Sequence, residues 1–463
     1  MSSDANLRTR LAEAVGEDIV RGPGDGEFGR HLRDFVVQAP AGVNIVAFAY
    51  PRSTEQVSRI LRFCHENDLP VVPQGGMTGL VGGGVPVTRC VVLSLERMRA
   101  IEEVDTAAST MTVQAGVVLE AVQKAADAAN LFFPLDLGGR GSCQVGGNAS
   151  TNAGGNRVLR YGMMRDLILG VEAVLADGTV INALHKYIKN NTGYDLRQLF
   201  IGSEGTLGVI TRLVLRLYPK PRSVCTGLCA LRGYAAVVEF LGRAKAGFGS
   251  TLTAFEVMWP EFYRLGTVAL SRQPPIEPKH GVYVLIETMG TDPDADQSRF
   301  EKVIEEALGS GLLEDAVIAQ SVAQAQQLWA IRDCPGEFPR IHWPQLGFDV
   351  SVPTGEIGDL VEELRKVLLA RWPDIVLVFF GHVADGNLHL SARLPAAASE
   401  HDVEELVYGV IARRRGSVSA EHGIGLHKKP FLQCSRSPEE IEMMRAIKRA
   451  LDPKGILNPG KVF

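Results

Sequence analysis

The clustering of glycine is the feature of this sequence that most constrains its fold. Of the 49 glycines, six lie between Gly75 and Gly84 and eight between Gly138 and Gly162. Glycine lacks a side chain, so such segments let the backbone approach a ligand closely. Neither cluster supplies a G-x-G-x-x-G or G-x4-G-K-[ST] nucleotide loop in the required place. The clusters therefore predict either tight turns alone or nests of backbone amides that hold a pyrophosphate.

The first glycine cluster follows a predicted strand–helix–strand unit. Its strands are IVAFAYP (45–51) and LPVVP (69–73), and Ser53 with Gln56 forms a capping box for the helix between them. Ligands of α/β sheets bind at the carboxyl ends of strands. We therefore expect a ligand site immediately after residue 73.

The composition excludes several classes of protein. A net charge of −5 and a pI of about 6.1 are too mild to indicate nucleic acid or a membrane surface as a partner. No run of about 18 apolar residues occurs, so no transmembrane helix is expected. Asp4 and Glu13 argue against a transit peptide. The seven scattered cysteines indicate a reducing compartment without disulfides or an iron–sulfur centre, so we expect a cytoplasmic protein.

The chain divides into two predicted domains and a C-terminal segment, with Pro219-Lys220-Pro221 marking the main boundary. Residues 1–220 have a mixed α/β pattern. Residues 221–430 contain short strand–helix–strand pieces that favour a ferredoxin-like layer. Residues 431–463 contain a helix that begins after Ser437 as N-cap. The predicted fold class is α+β.

Histidine clusters near the end of the second domain. In VFFGHVADGNLHLSA, Asp385-Gly386 is a two-residue turn signal between apolar runs. That register would place His382 opposite His389, with Cβ atoms about 4.5–5.5 Å apart. Two such imidazoles either bind one metal ion or make ordinary cross-strand contacts.

Six segments, in chain order, resemble those of one flavoprotein family. They are PQGGMTGLVGGGVP (73–86), PLDLGGRGSCQVGGNASTNAGGNRVLRYG (134–162), NNTGYDLRQLFIGSEGTLGVIT (190–211), GHVADGNLHL (381–390), SAEHGIGLHKK (419–429) and LDPKGILNPGKVF (451–463). The sequence is similar to the FAD-dependent D-2-hydroxyacid dehydrogenases of the vanillyl-alcohol-oxidase or PCMH type. Members of that family include D-2-hydroxyglutarate dehydrogenase, D-lactate dehydrogenase and the flavin subunit of glycolate oxidase.

The resemblance implies a PCMH-type FAD-binding domain, a substrate or cap domain with a metal site, and a C-terminal segment that returns to the flavin. The first glycine loop would hold the FAD pyrophosphate, the second segment would line the flavin, and the third would lie beside the adenine. No histidine occurs in 73–86 or 134–162, so FAD should be non-covalent. The implied FAD-binding residues are Pro73, Gln74, Gly75, Gly76, Met77, Thr78, Gly79, Leu80, Pro134, Asp136, Leu137, Ser142, Gly146, Gly147, Asn148, Thr151, Asn152, Gly155, Glu204, Gly205, Ile210 and Asn458.

The same resemblance assigns the chemistry. His382, His389 and Glu421 would bind a divalent metal and leave a position for substrate, a set that suits zinc but also iron or manganese. His422 would be the general base that takes the hydroxyl proton of a D-2-hydroxyacid, while hydride passes to flavin N5. Arg332 would bind the substrate carboxylate, unless it is an ordinary solvated helix residue.

Two residues depart from the pattern of the hydroxyglutarate-oxidising relatives. Those relatives carry a lysine where this chain has Gly347 and a hydroxyl residue where it has Gly336. Both groups would hold a second carboxylate, so we expect D-lactate or a longer apolar D-2-hydroxyacid as the substrate. If D-2-hydroxyglutarate is the substrate instead, a basic residue on another segment, such as Arg340 or Lys429, would replace the missing lysine.

Three alternatives remain open at this stage. They are a D-2-hydroxyglutarate dehydrogenase, the flavin subunit of a glycolate-oxidase-like complex, and a non-redox flavin synthase of the same superfamily. In the redox cases electrons must leave to an external acceptor, which is an electron-transfer flavoprotein, a quinone or a cytochrome. A homodimer is also left open.

Overall fold

The computed structural model describes residues 3–26, 28–341 and 345–463, and the chain divides into two compact units. Unit 1 contains the residues up to Gly154, Met163–Lys220 and Glu421–Phe463, and unit 2 contains Gly155–Gly162 and Pro221–Ala420. The chain changes unit at Lys220, where the main boundary is predicted. Residues 421–430, predicted as part of the second domain, belong to unit 1 in the structure.

Unit 1 contains two sheets and a short two-stranded pair. Its strands are β1 (Val20–Arg21), β2 (Ile45–Ala49), β3 (Val71–Gln74), β4 (Cys90–Ser94), β5 (Ile101–Asp105), β6 (Thr110–Gln114), β7 (Leu131–Phe132), β8 (Ile168–Val174), β9 (Val180–Ala183), β10 (Val209–Arg216) and β11 (Tyr218–Pro219). The first sheet has the order β1-β2-β4-β3, with β2, β4 and β3 parallel. The second has the order β5-β6-β10-β8-β9 and is antiparallel throughout.

The predicted strand–helix–strand unit is confirmed as β2, the helix Thr54–Glu66 and β3. Ser53 Oγ accepts the Gln56 amide at the helix start, and the apolar face of the helix is buried. Because β3 ends at Gln74, the first glycine cluster leaves the carboxyl end of a parallel strand. The other α-helices of unit 1 are Ser3–Val15, Leu119–Ala128, Val145–Ser150, Arg197–Phe200 and Pro438–Leu451.

Unit 2 is built on one antiparallel sheet, which confirms the predicted α+β class. Its strands are β12 (Ser223–Leu231), β13 (Leu252–Met258), β14 (Val282–Gly290), β15 (Asp315–Ile318), β16 (Gln345–Ser351), β17 (Val376–Gly381) and β18 (Asn387–Arg393), in the order β15-β12-β14-β13-β17-β18-β16. The α-helices are Val158–Tyr161, Tyr234–Phe248, Pro260–Arg264, Pro293–Gly309, Val322–Arg332, Phe338–Ile341, Ile357–Arg371 and Glu400–Arg413. No helix in the described part of the chain has the length and apolar character needed to cross a membrane.

The predicted register of the histidine hairpin is wrong. Phe380, not His382, pairs with His389 across β17 and β18. Residues 383–385 form a 3-10 turn and Gly386 has a φ of +91°, so the connection is longer than a two-residue turn. His382 therefore lies in the turn, although its ring centroid is still 5.3 Å from that of His389.

Candidate functional site

A buried hydrogen-bond network in unit 1 braces the first glycine loop. The Gln74 side chain is 2% exposed, and its Nε2 donates to His31 O at 2.8 Å and to Gly84 O at 2.7 Å. Its Oε1 must then accept from His31 Nδ1, which is 2.6 Å away. Tyr50 lies 3.0 Å from the other ring nitrogen, and burial lowers the pKa of His31. The network therefore ties both ends of the loop to His31.

The two glycine clusters contact each other in unit 1. A Cβ placed on Gly76 would lie 2.1 Å from Ser142 O, and one on Gly146 would lie 2.6 Å from the Ala115 Cβ. A side chain at Gly76 would therefore separate the two clusters, and one at Gly146 would separate the second cluster from the residue that follows β6. A Cβ on Gly147, by contrast, meets no atom within 4 Å. Gly76 and Gly146 thus allow close packing of backbone segments, whereas Gly147 leaves an open space that we call the cradle.

Three buried oxygens of unit 1, two in or next to the helix that contains Gly147 and one that belongs to a residue bonded to Gly83, fit a ligand rich in hydrogen-bond donors. Gln144 Oε1, Asn148 Oδ1 and Asn458 Oδ1 are buried and have no hydrogen-bond partner among the described residues. Buried polar atoms are normally paired, so each of these is available to a bound group. The hydroxyl, amino and imide groups of FAD are donors of that kind. The residues of this cradle therefore fit FAD.

Glu204 and Asn458 hold other segments of unit 1 together. The buried carboxylate of Glu204 accepts the Ile424 and Gly425 amides, each at 2.8 Å. Burial raises its pKa, against the opposing effect of those two amides and of nearby lysines. Asn458 Nδ2 donates to Glu204 O at 2.6 Å and to Gly83 O at 2.9 Å. The Glu204 carboxylate is thus engaged by backbone, and its predicted place beside the adenine stays a prediction.

The other implied FAD residues have these places. All of them lie in unit 1 except Gly155, which begins the first segment of unit 2. Pro73 and Gln74 end β3, and Gly75–Leu80 form the loop that follows. Pro134–Ser142 precede the helix Val145–Ser150, which contains Gly146, Gly147 and Asn148. Ile210 lies in β10. Four of the non-glycine residues, Met77, Asn152, Glu204 and Asn458, have positive φ angles of 43–55°. Such backbone is uncommon outside glycine and is often found at binding sites.

In unit 2 a buried carboxylate joins the predicted arginine to a predicted metal ligand. Glu256 in β13 is 1% exposed. Its Oε1 is 2.8 Å from His382 Nδ1, and its Oε2 accepts Arg332 Nε at 2.8 Å. Burial alone would raise the pKa of Glu256, but His382 and Arg332 outweigh it and the pKa is lowered. Arg332 is buried and is therefore not the solvated helix residue of the alternative interpretation.

His389 has a buried carboxylate neighbour of its own. Asp349 in β16 is fully buried, and its Oδ1 is 3.7 Å from His389 Nδ1. Asn387 Nδ2 donates to the same Oδ1 at 2.8 Å. Each histidine of the pair thus faces an acidic side chain through Nδ1. A carboxylate hydrogen-bonded to Nδ1, as Glu256 is to His382, is typical of metal-binding histidines, and Asp349 lies near His389 Nδ1 without reaching hydrogen-bond distance.

The two remaining predicted residues, Glu421 and His422, belong to unit 1. Glu421 lies over Gly154, where an added Cβ would be 2.6 Å from Glu421 Oε1. The residue before Glu421 ends unit 2, and there the Ala420 amide donates to Asp349 Oδ2 at 3.1 Å. His422 is half-buried. The structure therefore places the two histidine ligands together in unit 2 and Glu421 in unit 1.

The two glycines that depart from the family pattern both face open space. A Cβ on Gly347 or on Gly336 meets no atom within 4 Å. Gly347 is opposite Ser391 on β18, and the serine hydroxyl donates to Gln345 Oε1 at 2.8 Å. The side chain of Arg340 lies outside the described residues, and Lys429 in unit 1 donates to Gly460 O at 3.2 Å.

Sequence reasoning missed Glu256, Asp349 and the role of His31. A signal for the first two was present, because AFEVM and FDVSV each contain one carboxylate within an apolar strand. A buried carboxylate is costly unless it is paired, so such a residue predicts a partner. His31 had no comparable local signal, since its partners Tyr50 and Gln74 come from other elements.

Comparison with known proteins agrees with the sequence resemblance. A family described as FAD binding domain matches residues 45–184, and one described as FAD linked oxidases, C-terminal domain, matches residues 220–462. The mitochondrial D-2-hydroxyglutarate dehydrogenase of Bos taurus is 43% identical over 415 residues, covering 89% of this chain and 76% of the relative. A mitochondrial protein of Schizosaccharomyces pombe, provisionally named as a D-lactate dehydrogenase, is 41% identical over 89% of this chain and 80% of its own length. D-2-hydroxyglutarate dehydrogenase of Xanthomonas citri pv. viticola is 39% identical over 91% of this chain and 89% of the relative.

Solved structures share the fold at much lower identity. p-Cresol methylhydroxylase matches with a TM-score of 0.78 and 16% identity, covering 100% of this chain and 97% of that one. Alkyldihydroxyacetonephosphate synthase matches with a TM-score of 0.76 and 17% identity, covering 98% and 86%. These likenesses show a PCMH-type fold, while the sequence relatives show the chemistry. The chain therefore belongs to the family of FAD-linked D-2-hydroxyacid dehydrogenases, oxidoreductases that act on the CH–OH group of a 2-hydroxyacid.

Proposed function

We propose that this protein oxidises a D-2-hydroxyacid to the 2-oxoacid with non-covalent FAD and a divalent cation bound by His382, His389 and Glu421. The observation that carries the proposal is the histidine pair of unit 2, with ring centroids 5.3 Å apart and an acidic side chain beside each Nδ1. With a carboxylate at Nδ1, Nε2 is the ligating atom of each imidazole, and at His382 a cation would take the place of the Arg332 Nη2 contact at 3.3 Å. The donor set suits zinc, iron or manganese.

When bound, FAD supplies the hydride acceptor and the cation supplies a Lewis acid for the substrate oxygens. The protein's own groups bind and orient the substrate. Arg332 is assigned to the substrate carboxylate, because Glu256 accepts its Nε and its Nη2 lies beside the histidine pair, 3.3 Å from His382 Nε2. His422 is assigned to the hydroxyl proton, since a neutral imidazole is the usual acceptor near neutral pH. The substrate would thus lose that proton to His422, and FAD would accept the hydride from C2.

The substrate tail is assigned to the open space beside Gly347 and Gly336. A hydrogen bond to a charged group contributes about 1.5–3 kcal/mol, so the missing lysine and hydroxyl weaken binding of a second carboxylate by roughly 10- to 150-fold each. The vacated volume also accommodates an apolar chain. We therefore favour D-lactate or a longer apolar D-2-hydroxyacid.

D-2-hydroxyglutarate is the second candidate substrate. It is favoured by the names of the relatives from Bos taurus and Xanthomonas citri, which are 43% and 39% identical to this chain. If D-2-hydroxyglutarate is the substrate, a basic side chain at a position other than 347 must bind its distal carboxylate.

The test is anaerobic reduction of the bound flavin by a panel of D- and L-2-hydroxyacids. We expect bleaching by D isomers only, with D-lactate or an apolar homologue ahead of D-2-hydroxyglutarate in kcat/KM. Acid precipitation should release the yellow chromophore. A best rate with D-2-hydroxyglutarate, by tenfold or more, would reject the proposed tail subsite.

Matched histidine variants test the cation. His382→Ala and His389→Ala should lose bound metal and activity together. His401→Ala is the control, because that side chain is 67% exposed and lies 3.3 Å from Glu405 on the same helix. Full activity of the metal-free wild-type protein would show that no cation is needed.

A further inference from the structure

We propose that Glu256 is a positioning residue that sets His382 as a metal ligand and Arg332 as a carboxylate ligand at the same time. This inference rests on the proposed function, because it assigns those two residues their roles. Glu256 itself is not expected to touch substrate or cofactor.

The geometry defines where the protons lie. A carboxylate can only accept hydrogen bonds, so the hydrogen between Glu256 Oε1 and His382 Nδ1, 2.8 Å apart, must be on the histidine. In the neutral ring Nε2 then carries the lone pair. A histidine with the opposite tautomer would present an N–H there and could not bind a metal. Glu256 therefore selects the ligating tautomer and fixes the ring plane.

The second oxygen of Glu256 orients the guanidinium. Oε2 accepts Arg332 Nε at 2.8 Å, which turns the Nη atoms toward His382, with Nη2 at 3.3 Å from His382 Nε2. The guanidinium also lies over the Phe380 ring, 5.0 Å from its centroid, and so has packing support on its face. The lone pair of His382 Nε2 therefore accepts an Arg332 N–H, and a cation bound at Nε2 would release that donor to a substrate carboxylate.

The place where Arg332 and His382 meet matches the head of a 2-hydroxyacid. Its carboxylate and hydroxyl are on adjacent carbons, so a cationic donor and a metal ligand must lie side by side to receive them. Because the Glu256 carboxylate contacts both His382 and Arg332, it fixes the position of each relative to the other. Glu256 comes from β13, Arg332 from the end of the helix Val322–Arg332, and His382 from the turn after β17, so no local sequence could fix their spacing.

The competing explanation is that Glu256 only neutralises a buried arginine. Both explanations predict a less stable Glu256→Gln protein, because an amide cannot replace both charge-assisted contacts. They differ in ligand binding by the folded protein. A purely structural role leaves the affinities for cation and carboxylate unchanged, whereas positioning lowers both.

The experiment compares wild type, Glu256→Gln and the control Glu261→Gln. Glu261 also pairs with an arginine, Arg365 at 3.0 Å, but its side chain is partly exposed. We measure Zn²⁺ affinity by competition with a chelator, and oxalate affinity from the change in flavin absorbance. Glu256→Gln should bind Zn²⁺ about 10- to 100-fold more weakly and oxalate at least fivefold more weakly, with normal FAD content. Unchanged affinities in Glu256→Gln would overturn the proposal.

A measurement on the wild-type protein covers the case in which Glu256→Gln does not fold. With ¹⁵N-labelled histidine, the His382 signals are identified by their loss in His382→Gln, and the metal-free protein should show the proton on Nδ1. A proton on Nε2 would overturn the proposal. If the wild-type protein binds oxalate normally but does not bind Zn²⁺, the proposed cation is rejected. The role of Glu256 is then decided by the oxalate affinities of the variants and by the His382 tautomer.

Discussion

Replacement of Gln74 by glutamate should destabilise the FAD-binding unit although it keeps the shape of the side chain. The carboxylate cannot donate to His31 O or Gly84 O, and it leaves His31 O buried without its donor. A buried unsatisfied group costs about 1–3 kcal/mol, and a buried unpaired charge costs more. Two lost donor contacts therefore predict a loss of about 2–6 kcal/mol, a large part of the 5–15 kcal/mol typical of a folded domain.

The assay has two parts, urea unfolding followed by circular dichroism and FAD affinity followed by flavin fluorescence. Gln74→Glu should unfold at lower urea and release FAD more readily, because the brace spans the glycine loop. Gln433→Ala is the control, since Gln433 is exposed and such changes usually stay within about 0.5 kcal/mol. If Gln74→Glu stays within that range and keeps FAD, the glycine loop does not depend on the network.

Three further predictions follow from the site and from one buried lysine. His422→Ala should retain FAD and metal but slow flavin reduction by about 10²–10⁴-fold, and stopped-flow reduction near the wild-type rate would reject the base assignment. Gly347→Lys should raise kcat/KM for D-2-hydroxyglutarate by roughly 10- to 150-fold, with Gly355→Lys, also in open space, as a control that leaves it unchanged. The buried Lys461 donates to Val85 O at 2.6 Å, and burial lowers its pKa from 10.5 to about 8. Between about pH 8 and 10.5 the unfolded chain therefore binds more protons at this lysine than the folded protein does. The free energy of unfolding of wild type relative to Lys461→Met should therefore rise across that window, by up to about 1.4 kcal/mol per pH unit, and equal slopes in urea titrations would contradict it.

Sequence patterns predicted helix starts correctly where the stabilising contact lies within a few residues of the chain. Ser53 and Ser437 both accept the expected amides at helix starts, because a cap depends only on the next three residues. The first glycine cluster follows β3 as expected. The register of β17 and β18 was wrong because Val383–Asp385 form a 3-10 turn, which makes the connection longer than the Asp-Gly signal indicates. Turn type depends on how the strands twist in the sheet as well as on the two central residues.

Side-chain partners from distant parts of the chain were beyond local patterns. His31 reaches Gln74 across 43 positions, and Glu256 reaches His382 across 126. Sequence periodicity can show that a strand is buried but cannot show which residue of another element its polar member meets. The resemblance to the family supplied the candidate ligands directly, yet it did not supply the carboxylates behind them.

In the proposed function, positions 347 and 336 lie outside the group of residues that binds the head of the substrate. That head is assigned to Arg332 and the histidine pair, which contact the buried carboxylates of Glu256 and Asp349. Gly347 is two residues before Asp349 on β16, so its side-chain position lies on the same face but needs no contact with this framework. A change at 347 can therefore alter the tail that is accepted without disturbing the carboxylates that orient the reacting group. The proposed function thus predicts that substrate range and redox chemistry are separable on one strand. The Gly347→Lys variant tests that separation directly, because it should change the preferred acid while leaving the flavin reduction rate for D-lactate at saturation unchanged.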